Sequence, residues 1–136
     1  LMETETGLNY IIMLAFGSTQ EPLYRQSLDE FKRKGLVEIC DIADGEEILE
    51  PVRLAPSGIN NQPWFFFGTS REILISRKAQ SLIKKIIYDR LNKVDMGIAL
   101  YHLYLSATHL GKTMQLDCTP ASVPKGFIFV AKARLF

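Results

Sequence analysis

The stretch RLAPSGINNQPW, residues 53–64, says more than any other part of the chain about its fold and its chemistry. A proline near each end fixes the backbone and removes an N–H donor, so neither a helix nor a central strand can run through the stretch. Between the prolines, Ser57, Asn60 and Gln62 carry hydroxyl and amide groups that can hydrogen-bond the polar edge of a flat ring. We therefore predict an ordered loop that joins a helix to a strand and faces a ligand.

The residues upstream of this loop predict one strand and two helices. Tyr10–Phe16 is a short apolar run that predicts a buried strand. The Ser-x-x-Glu spacing of Ser27 and Glu30 has the form of a capping box and predicts a short helix. Asp44 is placed to cap a second helix, whose first turn carries two glutamates, and Pro51 predicts an irregularity late in that helix.

Hydrophobic periodicity downstream of the loop predicts a β-hairpin, two helices and a final strand. The segment Val94–Leu110 is apolar nearly all round, which predicts a buried helix, and Gly111 is its natural stop. The continuous apolar run of the last strand predicts burial on both faces. Together the elements predict an α+β fold, a small and mostly antiparallel sheet packed with helices around one long buried central helix. The predicted segments are Trp64–Phe67 with Ile73–Ser76, Ser81–Arg90, Val94–Leu110 and Phe127–Ala131.

Composition excludes several classes of function. The net charge of +1 gives no electrostatic reason to expect nucleic acid or an anionic membrane. The longest uncharged run, Met96–Gly111, is too short to span a bilayer comfortably. Cys40 and Cys118 are far apart, and His102 and His109 have no third ligand nearby, so we expect reduced thiols and no metal site. Without a signal peptide pattern, we expect a cytoplasmic protein.

The loop closely resembles the "APS-x-x-N-x-QPW" signature of the nitroreductase family. Residues Val94–Ala99 resemble the "D-x-G-x-A" start of the central helix in that family, which forms the core of its dimer interface. Asp95 also has a plainer interpretation, a negative charge near the start of a helix. The resemblance implies a nitroreductase-like fold, bound FMN, and NAD(P)H as electron donor for a small organic acceptor such as a nitroaromatic or quinone. The matching positions are Pro56, Ser57, Asn60, Gln62, Pro63 and Trp64.

The resemblance also implies which residues bind the cofactor, and no catalytic side chain is expected because the chemistry takes place on the flavin. An arginine of the family that binds the FMN phosphate corresponds here to Arg33, although the usual serine after it is absent. Lys132 and Arg134 are alternatives for the phosphate. The alternative interpretation is that Asn60 and Gln62 only tie down their own loop and that Trp64 packs in the core. The implied cofactor-binding residues are Pro56, Ser57, Gly58, Asn60, Gln62 and Arg33.

The order of elements resembles the duplicated branch of the family, in which two nitroreductase-like halves in one chain mimic a dimer. On this interpretation residues 1–30 are the tail of a preceding half, and residues 31–136 form a second half. We expect a homodimer or pairing with a second nitroreductase-like half. Two alternatives stay open: a degenerate module that binds flavin without turnover, and a half-domain that is inactive until paired.

Overall fold

The computed structural model describes residues 16–20 and 24–136, and the chain divides into two units, Leu1–Phe31 and Lys32–Phe136. The predicted strand Tyr10–Phe16 lies outside the described residues, apart from the exposed Phe16. In the first unit the predicted capping box is confirmed. Ser27 Oγ accepts from the backbone N–H of Asp29 at 3.1 Å, and Glu30 Oε1 accepts from that of Ser27 at 3.2 Å. The assignment of the two parts to successive halves stays a prediction.

The second unit is an α+β fold built on a four-stranded antiparallel sheet, as predicted. The sheet has the order β1-β2-β4-β3, so the last strand lies between the hairpin and a short edge strand. The hairpin is confirmed, whereas β3 and the short helix α1 were not predicted. The strands are β1 Trp64–Gly68, β2 Glu72–Lys78, β3 Met114–Asp117 and β4 Phe127–Leu135, and the helices are α1 Leu36–Ile39, α2 Glu46–Arg53 and α3 Leu82–His109.

A glycine fixes the turn between β1 and β2. Gly68 has a φ of +109°, and a Cβ atom placed there would lie 2.4 Å from the carbonyl oxygen of Glu72. Only glycine fits this position.

The predicted cap of α2 by Asp44 is wrong, because the Asp44 carboxylate accepts instead from the hydroxyl of Ser70 at 2.6 Å and from the backbone N–H of Ser70 at 3.3 Å. Helix α2 follows Gly45 with no side-chain cap and continues through Pro51.

The two helices predicted after the hairpin are one helix of 28 residues, α3. Residues 91–93, Leu-Asn-Lys, contain neither glycine nor proline, so nothing in the backbone interrupts the helix there. The predicted stop is confirmed at Gly111, which has a φ of +69°. The N–H of Lys112 donates to the carbonyl of Ala107 at 2.8 Å, and the N–H of Gly111 to that of Thr108 at 3.0 Å, which is a Schellman motif.

Helix α3 is the predicted long central helix, but from residue 88 onward, where its side chains are described, it is buried along one face only. Met96, Ala99 and Leu103 lie in the core that α3 shares with α2 and the sheet. The expectation that this helix is buried on all sides is wrong within a single chain. On the face opposite the core, exposed residues recur every three or four positions. Burial on both faces is also wrong for β4, where Ile128 is 38% exposed. No helix among the described residues is long and apolar enough to cross a membrane. Among the side chains of α3 that the structure describes, the exposed large apolar ones are Val94, Tyr101, Tyr104 and Leu105.

Candidate functional site

The loop between α2 and β1 has a strained backbone. Ile59, Asn60 and Gln62 have φ angles of 51°, 57° and 46°, in the left-handed region that non-glycine residues seldom adopt. The conformation is most costly for Ile59, because its β-branched side chain crowds the backbone, and yet that side chain is 70% exposed. Such conformations persist only where surrounding contacts determine them, and they cluster at ligand sites.

Two polar side chains of the signature hold the loop from within. Gln62 is only 2% exposed, and its Oε1 accepts from the backbone N–H of Lys34 at 2.8 Å while its Nε2 donates to Asn60 Oδ1 at 3.0 Å. Ser57 Oγ accepts from the backbone N–H of Gln62 at 2.9 Å. Ser57 Oγ and Gln62 Nε2 therefore bond within the loop, whereas Gln62 Oε1 bonds to Lys34 outside it.

The basic segment of residues 32–34, just before α1, is hydrogen-bonded to the loop. Arg33 Nη1 donates to Asn60 Oδ1 at 2.9 Å, and Arg33 Nε donates to the carbonyl of Leu54 at 3.4 Å. In return, Asn60 Nδ2 donates to the carbonyl of Lys32 at 2.7 Å. Arg33 thus connects the end of α2 to the middle of the loop, and its guanidinium is engaged by the chain itself.

Two buried polar side chains of helix α3, Asn92 and Asp95, form hydrogen bonds with the loop, and each is only 1% exposed. Asp95 Oδ1 accepts from the N–H of Gly58 at 2.8 Å, and Asn92 Oδ1 accepts from the side chain of Asn61 at 3.3 Å. A Cβ atom on Gly58 would lie 2.6 Å from the side chain of Leu91, so the loop approaches the helix as closely as only glycine permits. The interpretation of Asp95 as a helix-start charge is wrong, since α3 begins at Leu82.

Asp95 is a buried acid with only half of its carboxylate satisfied. Among the described residues, Oδ2 has no hydrogen-bond partner. Burial raises the pKa of Asp95, and the hydrogen bond from the N–H of Gly58 opposes that shift only in part. Between the unfolded and the folded pKa, the folded state binds more protons, so this group makes the protein less stable as pH rises through that interval.

We expect Asp95→Asn to remove this loss of stability, because an amide oxygen still accepts from Gly58 and no buried charge remains. In Asp95→Ala the Gly58 N–H loses its acceptor, which costs about 1–3 kcal/mol. Urea unfolding of the three proteins at a series of pH values measures both effects. The other carboxylates, including those whose pKa is lowered, are present in both wild type and Asp95→Asn. The difference between the unfolding free energies of these two proteins at each pH therefore reports on Asp95 alone. Parallel pH profiles for wild type and Asp95→Asn would contradict the prediction.

One side of the loop lines a pocket of about 430 Å³. The loop contributes Ile59, Asn61 and Pro63, of which only Pro63 is a signature position, and none of the six implied cofactor-binding residues lines the pocket. Lys34 and Lys78 also line it, although they are 44 positions apart in the sequence and no local pattern connects them. The remaining lining residues are Ala79, Gln80, Ser81 and Tyr88.

The alternative cations for a phosphate, Lys132 and Arg134, are engaged elsewhere. Both lie on β4 and pair with Glu72, at 3.3 Å in each case. In the described part of the chain, no group of three histidine, cysteine or acidic side chains is arranged to hold a metal ion. Cys40 and Cys118 are both free thiols.

Comparison with known proteins gives the family. Residues 2–107 match a family model described as "Putative TM nitroreductase". The chain belongs to this nitroreductase family. A crystal structure described as a "putative nitroreductase" from Thermotoga maritima MSB8 is similar, with 28% sequence identity over 76% of this chain and a TM-score of 0.48. This chain covers 42% of that protein. No curated protein matches the sequence.

Proposed function

We propose that this nitroreductase-family chain binds FMN and takes part in the reduction of a small organic acceptor, such as a nitroaromatic or quinone, with NAD(P)H as electron donor. The observation that carries the proposal is the strained loop between α2 and β1, residues 56–63, called here the Pro–Ser loop. It is fixed from within, from the basic segment and from α3, and it lines a pocket with Ile59, Asn61 and Pro63. A loop held in this way is a preformed wall for a flat ligand.

The donors around the pocket fit a flavin. The pocket has a volume of about 430 Å³, which falls in the usual range for small-molecule sites, roughly 300–1,000 Å³. The amide of Asn61 suits the polar edge of an isoalloxazine, the exposed Ile59 suits its ring face, and the lysines suit a phosphate. Bound flavin would supply the redox chemistry, and the chain's own residues would orient it and exclude water.

All six residues implied by the resemblance are proposed to serve cofactor binding by shaping the loop. Pro56 fixes its entry, Gly58 lets it approach α3, and Ser57 with Gln62 closes its hydrogen bonds. Arg33 and Asn60 hold it against the basic segment. The list of proposed cofactor-binding residues is therefore Pro56, Ser57, Gly58, Asn60, Gln62 and Arg33, joined by Asn61 from the pocket wall.

We further propose that two copies of the chain pair through the exposed face of α3, as the family's central helix does, with a second nitroreductase-like half as the other possible partner. Tyr101 is 59% exposed and Tyr104 is 46% exposed. A Cβ atom on Gly97, on the same face, would have nothing within 4 Å, which leaves room for a neighbouring helix to approach. Soluble monomers rarely leave so many large apolar side chains together in water.

The proposed function predicts that the purified full chain takes up FMN. An absorbance scan and a fluorescence titration with FMN, followed by NADH or NADPH oxidation with a quinone or nitroarene, test it in order. Flavin uptake with turnover supports the enzyme. Uptake without turnover indicates the degenerate binding module. Protein that takes up no FMN alone or after mixing with a second nitroreductase-like half contradicts the proposal.

A further inference from the structure

Two lysine ammonium groups converge on the pocket beside the loop. Lys34 Nζ donates to the carbonyl oxygens of Asn61 at 2.6 Å and Gln62 at 3.0 Å, and Lys78 Nζ donates to the carbonyl of Glu38 at 3.1 Å. All three acceptors are neutral. In the described part of the chain, neither ammonium lies within ion-pair distance of a carboxylate. Each ammonium has three N–H donors, and three of these six make no hydrogen bond to the described chain. The Lys78 ammonium also lies 5.5 Å from the centroid of the Phe65 ring, a contact that does not use up its N–H donors.

The two charges affect each other. Burial, and then the ammonium of Lys78, lowers the pKa of Lys34, while the carboxylate of Glu38 acts in the opposite direction. That carboxylate is itself used by the chain, since Glu38 Oε2 accepts from the N–H of Gly35 at 2.8 Å. Holding two cations together without a direct counter-ion costs free energy, and an anion between them would remove that cost.

The start of α3 adds to the positive potential of the same pocket. Ser81 precedes the first residue of this 28-residue helix and lines the pocket, and its side chain makes no capping hydrogen bond. The first N–H groups of a helix have no partner within the helix and favour negative charge. A helix start beside two lysines is therefore a favourable place for the oxygens of a phosphate group.

We propose that Lys34 and Lys78 form a subsite for a phosphate monoester dianion. The inference builds on the proposed flavin binding, and it assigns the phosphate to this pocket rather than to Arg33, whose guanidinium already contacts Leu54 and Asn60. Two sources carry the required group, the 5′-phosphate of FMN and the 2′-phosphate of NADPH. Riboflavin and NADH are the matched ligands that lack it.

The experiment compares affinities for FMN and riboflavin, and for NADPH and NADH, in wild type and in single variants of the full chain. Lys78→Gln should weaken binding of the phosphorylated ligand about 10- to 100-fold and leave its unphosphorylated partner within about threefold. Lys78→Arg should restore most of the loss. Lys93→Gln removes an exposed charge of α3 that pairs with Asp89 outside the pocket, so it controls for net charge.

The outcomes separate this inference from the proposed function. A changed FMN-to-riboflavin ratio places the flavin phosphate at the subsite, and a changed NADPH-to-NADH ratio places the nicotinamide donor's phosphate there. If Lys78→Gln and Lys34→Gln change neither ratio in folded protein, or if Arg33→Ala changes the FMN ratio instead, the inference is overturned while flavin binding stands. If wild type binds no flavin, inorganic phosphate is the remaining probe. It should raise the melting temperature of wild type but not of Lys78→Gln, and no difference between them overturns the subsite.

Discussion

Replacing both Tyr101 and Tyr104 by arginine is expected to turn a dimer of this chain into a monomer. In a twofold interface each substitution occurs twice, and tyrosines at the centre of an interface commonly contribute about 2 kcal/mol or more each. Loss of all four side chains, about 8 kcal/mol if the contributions add, corresponds to a dissociation constant roughly 10⁵- to 10⁶-fold higher, and repulsion between the new charges adds to it. Both side chains are exposed in the single chain, so its fold should survive.

Sedimentation velocity over a range of concentrations measures this change, and circular dichroism checks the fold. Glu46→Gln with Glu47→Gln is the matched control, because it alters net charge by the same two units on the exposed first turn of α2. The control should sediment like wild type. A wild-type chain that stays monomeric at high concentration would exclude pairing through α3 between identical copies.

The second large effect is expected at Trp64, the last residue of the signature. It is fully buried at the start of β1, and its Nε1 has no hydrogen-bond partner among the described residues. Trp64→Ala should lower the free energy of unfolding by about 3–5 kcal/mol, the usual cost of an aromatic truncation in a core. Trp64→Phe keeps most of the apolar contact and removes a buried N–H without a partner, so it should cost much less.

Urea unfolding, read by circular dichroism because the fluorophore itself is replaced, measures the two variants against wild type. The outcome also decides the role of this residue. Core packing predicts that flavin affinity falls only in step with the folded fraction. If Trp64→Ala were as stable as wild type and yet lost flavin, the indole would be a ligand contact instead.

Features with a local cause could be predicted from the sequence. The prolines bound the loop, Gly68 fixes the hairpin turn, and Gly111 ends α3, because each acts through its own φ angle or its missing N–H. The features that the sequence did not predict correctly depend on contacts between distant residues or belong to elements too short to show a pattern. Asp44 was predicted to cap the helix beside it, but its carboxylate bonds to Ser70 across the fold. The four residues of β3 are too few to show a period, and they are ordered by pairing with β4.

In the candidate site, too, local features could be predicted from the sequence and long-range contacts could not. The sequence identifies the Pro–Ser loop but not the direction of its side chains, because the positive φ angles of Asn60 and Gln62 depend on contacts with residues far away in the chain. Lys34 and Lys78 meet only because the segment before α1 lies beside the end of β2. No spacing rule connects them, and neither was predicted as part of the site.

The closed hydrogen bonds of the loop have a consequence for how fast and how selectively a ligand binds. Since Ser57, Asn60 and Gln62 already bond to the chain, the entropy of ordering the loop is lost during folding and not again at association. A preorganised wall of this kind favours rapid, single-step association. It also leaves few side-chain groups of the loop free to hydrogen-bond the polar edge of a ligand. The shape of the pocket and the charge of its lysines would therefore contribute more to ligand selectivity than hydrogen bonds from these side chains.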